Sequence, residues 1–238
     1  MAGCLSVSLV PDSIMIGSPT VLIGGVPAAC LFDPTLHGGS IVFGAATVLI
    51  GEFAAVGAVT VFPGKQHFGN CGVQSSQQLI HQATGQNPDE NAILGLALGG
   101  GFAENNADDS LRGGTTAATR QALLNEYGVS STIVNVPTEA DLADALKQNK
   151  GVIASVEVGT LWGCTNPVGG HAIVVTEGDF DASGKLTHVY INDTGTGQQG
   201  RRLTIDEMMR AMETKVNKRG ENTSALNITN APIWTQIR

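Results

Sequence analysis

Cys71 stands in the string Gln66-His67-Phe68-Gly69-Asn70-Cys71-Gly72, well ahead of Gly169-Gly170-His171 and of Ile191-Asn192-Asp193. A thiol is a weak nucleophile at neutral pH until an imidazole takes its proton, and the imidazole needs a third polar group to fix its tautomer. His171 leads into the apolar run 172–175, and Asp193 closes the strand-like run 189–191, so the three residues supply nucleophile, base and orienting acid in that order. Asn192 is the alternative to Asp193 as the orienting group. Cys71 also opens a stretch that reads as a helix over 71–84. A helix N-terminus offers partial positive charge and free N–H groups, which favour thiolate and line an oxyanion hole. Gly72 leaves room for a substrate carbonyl, and Gln66 is placed to donate its side-chain amide to the same oxyanion.

The other candidates weigh less. Cys164 is the rival thiol, but its setting, Gly163-Cys164-Thr165-Asn166-Pro167, reads as a loop with no helix after it. His67 reads as cleft lining, and His81 and His188 as surface or packing residues.

These residues must be positioned by a mixed set of elements. After 71–84, helices are expected over 117–127, stopped by Gly128, and over 139–150, stopped at Gly151; a last one opens at Thr204, where Thr204 and Glu207 form a capping box. Strands are expected over 129–136, 152–158, 171–176 and 186–191 from their β-branched and apolar content. The glycine-rich stretch 87–114 reads as a loop region around a short helix.

The 238 residues are 42% hydrophobic and 14% charged, which describes a globular chain. A net charge of −8 argues against binding to nucleic acid or to an anionic membrane. Arg201-Arg202 and the group Lys215, Lys218 and Arg219 read as solvated faces. Cysteines at 4, 30, 71 and 164 show no Cys-x-x-Cys spacing, so neither a disulfide framework nor a structural zinc site is expected. Met1-Ala2-Gly3-Cys4 lacks the basic start of a conventional signal peptide. The longest apolar stretch, 41–61, is broken by Gly44, Gly51, Glu52 and Gly57 and reads as strand-forming rather than membrane-spanning.

Residues 1–62 follow a different grammar. They contain no Lys or Arg, and residues 14–29 overlay residues 41–56 at a shift of 27, with Thr20-Val21-Leu22-Ile23-Gly24 matching Thr47-Val48-Leu49-Ile50-Gly51. Short strands recurring with glycine turns read as stacked β units. Ser18-Pro19-Thr20, Gly24-Gly25-Val26-Pro27-Ala28-Ala29, Asp33-Pro34 and His37-Gly38-Gly39 together resemble a PAAR-repeat domain, the cone that caps the spike of type VI secretion systems and carries toxic cargo. Members of that family often bind a metal through several His and a Cys. His37, Cys4 and Cys30 are too few for such a site, and no metal or other cofactor is expected.

From 63 onward, Asn70-Cys71-Gly72, Gly170-His171 before its apolar strand, and Ile191-Asn192-Asp193 before a Gly-rich turn resemble a papain-like cysteine peptidase, of the branch that processes bacteriocins after double glycine. The resemblance implies Cys71 as nucleophile, His171 as base, Asp193 as orienting acid and Gln66 as oxyanion donor. Gln66 lies five residues ahead of the Cys where the family places its Gln six ahead, and Asp193-Thr194 replaces the family's Asp-Pro. The expected architecture is therefore α+β: a PAAR-like, incomplete all-β repeat (1–62), then a peptidase domain (63–238) with a helix bearing the Cys and an antiparallel sheet bearing His and Asp.

Together the two resemblances imply a type VI effector that cleaves a protein in the cytoplasm of a recipient bacterium. Its partners would be the spike protein, through the N-terminal domain, a cognate immunity protein and the protein substrate. The same triad would also serve a glutamine deamidase or transamidase, and a non-catalytic binding module on a spike tip is the third reading.

Overall fold

The computed structural model describes residues 13–14, 22–29, 35–36, 62–164, 169–216 and 219–234. The chain divides into two compact units, Met1–Val56 and Gly57–Arg238.

In the first unit, β1 (Leu22–Ile23) and β2 (Val26–Pro27) pair antiparallel. Gly24 and Gly25, at φ 63° and 84°, make the turn between them, a conformation that a two-residue hairpin requires and that side chains resist. An isolated bridge joins Ile14 to Thr35. The second copy of the repeat (41–56), the apolar stretch to 61, and His37, Cys4 and Cys30 lie outside the described residues.

The second unit is α+β. Its elements run α1 (Cys71–Thr84), α2 (Glu90–Gly99), α3 (Ala117–Glu126), β3 (Ser131–Asn135), α4 (Glu139–Lys147), β4 (Lys150–Glu157), α5 (Val158–Trp162), β5 (Gly170–Phe180), β6 (Leu186–Asp193), β7 (Gln198–Thr204), α6 (Ile205–Glu213) and β8 (Ala225–Pro232). Six strands form one antiparallel sheet in the order β3-β8-β4-β5-β6-β7.

The central strands are apolar on both faces, which places core on both sides of the sheet. Val152, Ala154 and Val156 of β4, with Ile173 and Val175 of β5, pack in one layer with Leu142 and Leu146 of α4 and Met208 and Met212 of α6. The alternate residues Ile153, Ala172 and Val174 point the other way, into a layer with Val73, Leu79 and Ile80 of α1, Ile93 of α2, and Leu123 and Leu124 of α3. This alternation is the two-residue period of the strand read directly in packing. Each fully buried Leu or Ile contributes about 1.5–3 kcal/mol relative to an exposed one.

Several boundaries differ from expectation for local reasons. Helix α4 ends at Lys147 because Asn149 takes the left-handed conformation at φ 55°, and Gly151 belongs to β4. A Cβ on Gly151 would collide with Ile233 and lie 2.8 Å from Leu79, so that glycine serves packing and not helix termination. Helix α6 begins with the expected capping box of Thr204 and Glu207. The strands β7 and β8 and the short helix α5 were not expected. Arg201 and Lys215 are not free solvated charges: Arg201 Nη2 donates to Leu161 O (2.9 Å), and half-buried Lys215 donates through Nζ to Thr223 O and Oγ1 (3.1 Å each). Among the described residues no helix is long and apolar enough to cross a membrane.

Candidate active site

The site lies where the N-terminus of α1 meets one end of the sheet. Helix α1 is covered along most of its length, with Gly72 through Ile80 all buried. Its polar side chains therefore need partners in place of water. Ser75 Oγ donates to Ala172 O (3.2 Å), Ser76 Oγ to Gly72 O (2.8 Å), and Gln78 Oε1 accepts from Asn192 Nδ2 (2.9 Å). The Ser76 bond closes within the helix, while those of Ser75 and Gln78 tie it to β5 and β6, the strands that carry the other two residues.

The segment leading into α1 is held on several sides. Asn70 Nδ2 and the His67 N–H both donate to Glu90 Oε1 (3.0 Å each), while His67 Nδ1 meets Glu90 Oε2 at 2.7 Å. The Gly69 N–H donates to Asp109 O (2.8 Å), and the Gln66 N–H to Thr194 O (2.9 Å). His67 is thus an exposed partner of Glu90 rather than cleft lining. No acidic residue occupies the first turn of α1, so nothing there opposes an anion at its N-terminus.

Antiparallel pairing of β5 with β6 sets Val174 opposite Asn192, which brings His171, at the start of β5, beside Asp193, at the end of β6. His171 Nε2 lies 2.7 Å from Asp193 Oδ1, and both residues are buried. The partly exposed Cys71 thiol is close enough to the same imidazole for each to shift the other's titration. With Nε2 taken by Asp193, Nδ1 is the nitrogen left for sulfur. The structure therefore brings Cys71, His171 and Asp193 together in one line. Asn192 is committed elsewhere, donating to Gln78 and accepting from the Gly200 N–H (3.0 Å).

The electrostatics follow from this line. Burial alone pushes the Cys71 thiol up, but the hydrogen bond and charge of His171, the Ala172 backbone and the charge of Arg120 together bring it below an ordinary thiol. Burial pulls His171 down, and its bonds to Asp193 and Cys71 more than offset this, raising it to about 9. Asp193 is likewise penalised by burial yet held down to about 2 by His171, Trp162 and the Gly195 N–H. Each member of the Cys71–His171 pair favours the charged form of the other, and the Asp193 carboxylate backs the imidazolium.

Trp162 is a part of the site that the sequence reading missed. Its Nε1 donates to Asp193 Oδ2 (2.7 Å), and its ring stands edge-on to His171 with centroids 5.6 Å apart. It fixes the carboxylate's second oxygen while the Gly195 N–H (2.8 Å) joins His171 on the first. Its place follows from the unexpected α5, whose N-cap Glu157 accepts from the Gly159 and Thr160 N–H groups at 3.0 and 2.6 Å. Cys164 is exposed, and its N–H donates to Gly159 O (2.7 Å).

Gln66 sits in the loop before α1. Its Nε2 donates to Phe68 O (2.8 Å), and its Oε1 accepts from Thr194 Oγ1 (2.8 Å). One of its two amide hydrogens is thereby used on Phe68, leaving the second for another acceptor. His81 is half-buried in α1 and His188 in β6, neither among the bonds of the site.

No protein-family model matches the chain. Two mycobacterial relatives, "Uncharacterized protein Rv1268c" of Mycobacterium tuberculosis and "Uncharacterized protein Mb1299c" of Mycobacterium bovis, are each 30% identical to it over 159 residues, covering 56% of this chain and 67% of the relative. The chain belongs to the same family as these mycobacterial proteins. Among solved structures, a candidate C39-like peptidase from Bacillus anthracis is similar with a TM-score of 0.48 and 13% identity, covering 73% of this chain and 98% of that one. The SERA5E structure from Plasmodium falciparum gives 0.42 and 10%, covering 75% of this chain and 94% of that one.

Proposed function

We propose that the second unit is a cysteine peptidase acting through Cys71, His171 and Asp193. The observation that carries this reading is the hydrogen bond between the His171 ring and the buried Asp193 carboxylate, with the Cys71 thiol, at the start of α1, set against the same ring. An acyl transfer needs a nucleophile ionised at working pH, a proton donor for the leaving group, and a group that holds the donor in place. All three stand here in bonding order.

The Cys71 thiolate adds to the peptide carbonyl carbon, forming a C–S bond and an oxyanion. The backbone N–H at the start of α1 and the second amide hydrogen of Gln66 are the donors assigned to that oxyanion. Collapse breaks the C–N bond as His171 passes its proton to the leaving nitrogen. Water then adds to the thioester, gives a proton back to His171, and the C–S bond breaks to release a carboxylate. Asp193 stays ionised throughout and holds the imidazole.

The PAAR-like motif residues between 14 and 39 support a finer assignment: a type VI secretion effector whose N-terminal unit seats on the spike. In that role the peptidase acts as a toxin in the recipient cytoplasm, and an immunity protein protects the producer. The test is proteome-wide mapping of new N-termini in cells expressing the chain or its Cys71→Ala variant. Cleavage sites that appear only with Cys71 are the expected result. A target that instead gains about one dalton without chain cleavage identifies a deamidase, because both outcomes start from the same acyl-enzyme. Identical termini and identical target masses for the two proteins sink the enzymatic reading.

A further inference from the structure

Arg120, on α3, has a side chain only 3% exposed. Buried guanidinium groups are ordinarily paired with carboxylates, because an uncompensated buried charge is costly. Here the partners are neutral: Nε donates to Asn227 Oδ1 (2.9 Å) and Nη2 to Ser155 Oγ (2.6 Å). No carboxylate lies within ion-pair distance of Arg120 among the described residues.

The group is also held rigidly, and held against the site. Ser155 pairs across the sheet with Ala172, the neighbour of His171, and Asn227 pairs with Ile153 and donates to Ala117 O (2.8 Å). Arg120 Cδ lies 3.1 Å from where a Cβ on Gly72 would stand, so the side chain passes directly along the first turn of α1. The anionic group whose charge Arg120 feels is Cys71. The remaining charges nearby are accounted for. His171 faces Cys71 and Asp193, Glu90 of α2 faces Asn70 and His67, and Lys215 faces Arg120 as a like charge.

We propose that Arg120 is a positioning residue of the active site: a fixed, buried cation on the α3 side of the nucleophile helix that favours the Cys71 thiolate over the thiol. This rests on the peptidase reading above. Arg suits the role because it keeps its charge when buried, whereas a buried Lys is readily neutralised. Burial lowers Arg120 itself only to about 10, so it remains a cation at neutral pH. The site then has two cations set against one sulfur, His171 to transfer the proton and Arg120 to hold the anion once the proton has gone.

The test is the pH dependence of iodoacetamide alkylation of Cys71 in the full chain, followed by peptide mass spectrometry, which separates Cys71 from Cys4, Cys30 and Cys164. The wild type, Arg120→Lys, Arg120→Gln and Arg120→Met are compared. The wild type is expected to inflect well below the roughly 8.5 of an ordinary thiol. Removing the cation in R120Q and R120M moves the inflection up by about one pH unit, so alkylation well below it slows about tenfold, while R120K, whose buried amine gives up its charge more readily, falls between these and the wild type. R120Q is the arm that guards against a trivial fold defect, because its side-chain amide keeps a donor for Asn227 or Ser155, whereas R120M leaves both without one; urea midpoints of the two variants read that difference.

A wild-type alkylation curve in both R120Q and R120M, or failure of both neutral variants to fold, would overturn the proposal and make Arg120 a packing residue. A wild-type protein that itself alkylates like an ordinary thiol would instead sink the ion-pair reading, which distinguishes the two failures.

Discussion

The chemistry proposed for this chain turns on how a buried imidazole is kept charged. Desolvation disfavours both the imidazolium and the thiolate, and each is retained because the other is in contact with it and Asp193 stands behind. Activity should therefore follow a bell. It rises with pH as the Cys71 thiol, set below its ordinary value, loses its proton. It falls as His171 loses its proton near pH 9 and can no longer protonate the leaving nitrogen. Asp193→Asn keeps an acceptor for the ring but removes the charge that raises His171, so the alkaline limb of kcat/KM should move down by about one unit or more. A limb that stays in place would show that Asp193 orients the ring without tuning it. Trp162 belongs to the same scale, since its N–H fixes the oxygen that His171 does not use.

At the scale of elements, Cys71 is positioned by segments that are irregular in sequence but tightly bonded in space. The turn around Gly113 packs on the residue that precedes Cys71: a Cβ on Gly113 would lie 2.5 Å from Asn70 Cβ, and its φ of 98° is one that side chains resist. Gly113→Ala should cost about 1–3 kcal/mol of stability. It should also lower kcat more than it raises KM, because it disturbs the start of α1; chemical denaturation and steady-state kinetics read the two effects. Helix boundaries with a side-chain signature were legible, as with Thr204 and Glu207 at α6. The strands β7 and β8 were not. Gln198–Thr204 is an edge strand whose polar Gln and Arg residues carry little apolar alternation, and β8 is inserted between β3 and β4 by pairing with segments far away in sequence.

For the whole molecule, both layers of core and all three residues of the candidate triad fall in the unit Gly57–Arg238. A fragment of residues 57–238 should therefore unfold in one cooperative transition and keep the peptide-hydrolysing kcat/KM of the full chain. Calorimetry and a peptide assay check this, and loss of either property would mean that the catalytic unit depends on residues 1–56. The division of labour proposed for the chain, delivery by the first unit and cleavage by the second, requires that independence.

The order Cys71, His171, Asp193 was readable from sequence because each residue sits at a recognisable local landmark: a glycine-flanked helix start, a strand entry and a strand end. Strand alternation and helix caps are also local, so the α+β class could be read the same way. Contact between residues distant along the chain is not local. The approach of Trp162 to Asp193, the choice of Asp193 over Asn192, the bonds that hold Gln66 and the burial of Arg120 against the first turn of α1 were all settled by sheet register and helix packing. A side chain's charge is written in the sequence, but what faces it is decided only when the strands align.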